Sequence, residues 1–104
     1  MSAVANHVRG EAMLQLAGHE VLLRPSFNAL VAAEQEIGPL FDLVERAAAG
    51  RLGLAELVAL FWHCRVAGTC PFDREGFAHA LADVGLLALT PVLKILLRQI
   101  LQGR

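Results

Sequence analysis

The sequence predicts a small α+β domain in which an N-terminal β-hairpin packs on a bundle of about five short helices. Two apolar runs flank Ala17-Gly18-His19, as hairpin strands flank a Gly turn. Helix punctuation then recurs at Ser26, Gly38-Pro39, Gly50, Asp73 and Thr90-Pro91. Apolar residues make up 56% of the 104 residues and charged ones 18%, which excludes disorder and allows one buried core.

Met1–Arg9 reads as a flexible terminus and residues 10–104 as one domain, with the hairpin over 10–24 and helices over 27–102. A loop at Gly18-His19 would set Leu16 opposite Val21 and Leu14 opposite Leu23. Ala12, Leu14, Leu16, Val21 and Leu23 then share one face, leaving Glu11, Gln15 and Arg24 on the other. A lone hairpin is marginal in water, so the apolar face needs helices against it.

Pro25 stops the second strand, and Ser26 is the expected N-cap of a helix over Phe27–Ile37, with Phe27, Leu30, Val31, Ala33 and Ile37 inward. Gly38 ends that helix and Pro39 opens the next, Leu40–Ala49, with Leu40, Phe41, Leu43, Val44 and Ala47 on one arc and Gly50 closing it. The third, about Leu54–Ala67, is apolar around most of its circumference and should be central, with Gly68 as its stop. Asp73 caps a fourth helix to about Val84. Thr90-Pro91 is the expected N-cap and N1 pair of a last helix to about Leu101.

Nine Lys and Arg stand against ten Asp and Glu, and the basic residues are scattered. Nucleic-acid binding needs a basic face, so it is not expected. A helix-turn-helix built on the third and fourth helices would bring Asp73, Glu75 and Asp83 towards phosphates. No signal peptide is expected from Met1–Arg9, and Leu86–Leu97 is too short to span a bilayer. Cys64 and Cys70 fit free thiols in a reducing cytoplasm.

Reactive chemistry has little to start from. His63, Cys64, Cys70 and His79 match no paired-ligand zinc spacing, and neighbouring helical residues such as His63 and Cys64 do not face each other. Phosphate loops, nucleophile elbows and His-Glu-x-x-His are absent, so no enzyme activity and no cofactor are expected. Two charges break the apolar pattern: Glu34 on the first helix and Arg65 on the third. A charge on a core-facing arc must be paired or reach water, and the expectation is that Glu34 pairs with Arg65 or Arg24. The last helix carries more apolar surface than one buried stripe needs: Leu93, Leu96 and Ile100 centre the arc, while Ile95 lies opposite. Ile95, Leu97 and Leu101 are therefore the candidate partner-binding residues.

Taken together, Arg9-Gly10-Glu11, Leu23-Arg24-Pro25-Ser26-Phe27, Leu30 to Gly38, Gly50-Arg51-Leu52, Arg65-Val66-Ala67-Gly68 and the closing Leu-rich helix resemble one family over roughly residues 8–101. It is that of the small tail tube-associated proteins, described as tail tube or tail assembly chaperone proteins, of gene transfer agents and siphophage-like tails. Cys64, Cys70-Pro71 and Trp62 depart from the family's pattern. The resemblance implies a non-enzymatic assembly chaperone that binds tail tube and tape-measure proteins in the cytoplasm of the producing bacterium. A structural component of the tube in the particle's tail is the alternative, and a small cytoplasmic regulatory adaptor a further one. It implies no cofactor; the charge pattern and the short apolar stretch already argue against nucleic-acid and membrane partners, and a homo-oligomer is admitted.

Overall fold

In a computed structural model, which describes residues 10–102, the chain opens with β1 (Ala12–Leu16) and β2 (His19–Leu23), paired antiparallel. The terminus assigned to residues 1–9 lies outside the described residues. Leu16 pairs with His19, Leu14 with Val21 and Ala12 with Leu23, so the two-residue loop is Ala17-Gly18, one residue earlier than expected. Ala17 (φ 49°) and Gly18 (φ 82°) are both left-handed, as a two-residue type I′ turn requires. The turn puts Gly second and leaves the strain of about 1–2 kcal/mol on Ala17, where a loop at Gly18-His19 would have put it on His19. Because side chains alternate with period two, the expected inward set survives: Ala12, Leu14, Leu16, Val21 and Leu23 are all buried.

The opposite face departs from expectation. Glu11 is buried, and Arg24 Nε donates to its Oε2 at 2.6 Å. Gln15 stays exposed and donates to Glu20. The outer edge of β2 is covered by the chain after the third helix. Arg24 N–H donates to the Cys64 carbonyl at 2.7 Å, Val66 N–H to Leu22 O at 2.8 Å, and Leu22 N–H to Thr69 Oγ1 at 2.9 Å. These bonds satisfy strand groups that would otherwise recruit another chain.

α1 (Phe27–Ile37) begins where expected, Ser26 Oγ accepting from Ala29 N–H, and ends at Gly38 (φ 92°). Its buried residues are Ala29 and Ala33, whereas Phe27 is 80% exposed. The helix is thus rotated from the predicted arc, with small residues turned towards its neighbour so that the backbones approach closely. α2 (Leu40–Ala48) follows, and α3 (Leu54–Cys64) buries six residues, Leu57 to Phe61 and Cys64, as a central helix should. α3 stops at Cys64, short of Gly68. Arg65 turns extended (ψ 142°) and bridges Leu23, because the edge of β2 captures the backbone that would have continued the helix. A 3₁₀ turn, Ala67–Thr69, leads on to α4 (Arg74–Val84), where Asp73 Oδ1 accepts from Gly76 N–H.

α5 (Leu86–Gln102) starts a full turn before Thr90-Pro91, which lies inside it. Pro91 lacks the N–H that would meet the Leu87 carbonyl, but both residues are exposed, so the lost bond falls at the surface. Thr90 is no N-cap; its hydroxyl donates back to Leu86 O at 3.0 Å. Leu89, buried at 1% exposure, anchors the added turn in the core. α3 packs between α1 and α4, and α5 lies against β1 and α4. Phe61, Phe77, Leu16, Leu60, Leu81 and Leu96 are fully buried, each worth about 1.5–3 kcal/mol of transfer from water. Among the described residues the architecture is α+β, one hairpin and five α-helices, as the sequence predicts.

Candidate interaction surface

Among the described residues, the side chains with reactive potential do not converge. Cys64 is buried on α3, and burial pushes its thiol up to about 12. His63 binds Glu36 at 2.7 Å, His79 is exposed near Glu75, and His19 lies edge-on to Phe72. Cys70 is half-buried, its Sγ 3.7 Å from Phe72 O. Among the described residues, no three His, Cys, Asp or Glu side chains gather as metal ligands.

The expected pairing of Glu34 with Arg65 or Arg24 does not form. The rotation of α1 brings Glu34 to the surface beside the start of α2, where its Oε2 accepts from Leu40 N–H at 3.1 Å. A carboxylate there satisfies an otherwise orphan donor and faces the positive end of the helix dipole. Arg65, outside the helix, lays its guanidinium 3.3 Å from the centre of the Trp62 ring and donates to Trp62 O at 2.7 Å. Arg24 belongs to Glu11.

Two ionic clusters hold the helices. Glu36 on α1 accepts from Nη1 and Nη2 of Arg74 on α4 and meets His63 on α3. These bonds, Arg74 first and His63 second, hold the Glu36 carboxyl down at about 2, and the same pair raises Arg74. Glu56 at the start of α3 binds Arg46 on α2 and accepts from Gly53 N–H, which lowers its carboxyl.

Besides the exposed Phe27 and a shallow cleft beside Phe72 and Val84, apolar surface lies open between α2 and α5. Near the start of α2, a cleft of about 230 Å³ is lined by Glu34, Leu40, Phe41, Val44, Ile100 and Leu101. Near its end, a second of about 140 Å³ includes Ala47, Leu52, Leu86 and Leu93. The start of α2 thus faces the end of α5, and its end faces the start of α5. Phe41 is 77% and Leu101 56% exposed, large apolar side chains open to water on one cleft. Of the three candidate partner residues, Leu101 is on this surface. Leu97 is partly buried against the core. Ile95 is half-buried one turn before Gln99, whose Cβ abuts Gly10.

The family model described as phage tail tube protein, GTA-gp10, matches residues 9–103. The chain belongs to this tail tube family. No curated protein and no solved structure matched it. Sequence patterning missed part of the open surface between α2 and α5. It placed Phe41 inward on α2, although Phe41 lies about 100° around the helix from Leu40 and about 200° from the buried Leu43. That angular offset was the available signal. Leu86 and Leu87, between the predicted end of the fourth helix and the predicted start of the last, lie exposed on the first turn of α5. No single described helix is long and apolar enough to cross a membrane. α4 and α5 would pass as a broken pair, but they meet at 113° and bury Phe77, Leu81, Leu89 and Leu96 in the core.

Proposed function

We propose that this protein is a non-catalytic component of a gene transfer agent or phage-like tail, built into the tail tube through protein–protein contacts. The family match over residues 9–103 carries the reading, and the open apolar surface between α2 and α5 supports it. Its partners are then other tail proteins, and its final location is the particle's tail. Quantitative mass spectrometry of purified particles tests this. The chain should be present in fixed ratio to the major tube protein, and its deletion should leave particles without functional tails. Absence from particles whose tails nonetheless need the gene would replace this reading with the assembly-chaperone one, in which the chain binds tube and tape-measure proteins in the cytoplasm and then departs.

A further inference from the structure

We propose that the α2–α5 face pairs two copies of this chain, the acidic side of α2 in one copy meeting the basic side of α5 in the other. Leu87, Lys94, Arg98 and Leu101 are spaced by seven, four and three residues, so they form one stripe along α5, and all four are exposed. On α2, Phe41 and Glu45 are one turn apart, with Asp42 beside them, and all three are exposed. No oppositely charged side chain among the described residues lies within ion-pair distance of Asp42, Glu45, Lys94 or Arg98. Elsewhere on the surface Arg24, Arg46 and Arg74 have carboxylate partners, whereas Arg51 and Asp83, like the four charges of the patch, have no ion-pair partner among the described residues.

The patch therefore presents two anions on one helix and two cations on its neighbour, with Phe41 and Leu101 exposed at a shared cleft. A uniformly acidic partner would be repelled by Asp42 and Glu45, and a uniformly basic one by Lys94 and Arg98. A second copy related by a two-fold axis suits both halves, since such an interface is self-complementary by construction. The two helices run past each other in opposite senses, which lets each α2 lie along the other copy's α5. With a net charge of −1, little long-range repulsion opposes the approach. The inference rests on surface chemistry rather than on the tail reading, and it is tested on purified protein, so either can fail alone.

The test is sedimentation of the full chain and of three variants, each checked by circular dichroism for wild-type melting. The wild type should sediment as two chains, more weakly in about 1 M than in about 0.1 M salt, where the Debye length is about 3 Å instead of about 10 Å. Lys94→Glu with Arg98→Glu, and separately Asp42→Lys with Glu45→Lys, should each weaken pairing at least about ten-fold. Mixed in equal amounts, the two charge-reversed proteins should pair with each other. Phe41→Gln, which reverses no charge, should weaken pairing by about ten-fold as well. A wild type that stays monomeric to about 100 μM, a concentration at which micromolar affinity would show, overturns the proposal even if it binds some other protein. So do charge-reversed variants that still pair with themselves, a mixture that does not pair, or undiminished pairing by Phe41→Gln.

Discussion

Replacing Glu36 with Gln should loosen the junction of α1 with α3 and α4, and the loss should depend on pH in a particular direction. Glu36 receives two guanidinium bonds from Arg74 and one from His63. Its carboxyl is held at about 2, against an ordinary 4.5. Taken whole, such a depression would be worth about 3 kcal/mol. The carboxylate is 38% exposed and Arg74 42%, so water screens the pair and about 1–1.5 kcal/mol is the better expectation. A group whose carboxyl is lower in the folded chain stabilises it above the unfolded value. That contribution is lost as pH falls from about 4.5 towards 2. Urea titrations of wild type and Glu36→Gln should differ by the full amount at pH 7 and converge below pH 4.5. Near neutral pH the midpoint of thermal unfolding should drop by about 4–10 °C for a domain of this size. A gap that is absent at pH 7, or that persists unchanged to pH 2.5, would refute the clamp.

Other substitutions probe packing and backbone. Leu43 is the one fully buried side chain of α2, so Leu43→Ala should cost about 2–5 kcal/mol and speed amide exchange in α2 first; a cost under about 1 kcal/mol would show that α2 is not anchored there. Gly10 has φ +76°, and a Cβ there would lie 2.3 Å from Gln99 Cβ. Gly10→Ala should therefore cost at least about 2 kcal/mol by calorimetry, whereas Gly68→Ala, with nothing within 4 Å, should cost well under 1 kcal/mol. In thiol labelling at pH 8, Cys70 should react and Cys64 should stay protected until the chain unfolds, since Cys64 is 1% exposed and its thiol is pushed up to about 12. Equal labelling rates in native protein would contradict the placement of Cys64.

Local chemistry made several elements legible. Ser26 and Asp73 begin their helices because a side-chain oxygen three residues before an orphan N–H can satisfy it wherever the helix packs. Gly38 and Gly50 end theirs through positive φ, and the hairpin's inward set follows from period-two alternation, robust even to a misplaced turn. Such features depend on residues within a few positions of each other. By itself, then, the sequence determined the fold class, the hairpin faces, most helix starts and the family resemblance. Tertiary structure alone decided where α3 stops, since β2 claims Arg65 and Val66, and that α5 reaches back through Pro91 to bury Leu89. It alone decided which way α1 turns, and so that Glu34 caps α2 and that Phe27 stays in water. These outcomes hang on contacts between residues distant in the chain, whose energies exceed the local preferences they override and leave no periodic trace along it.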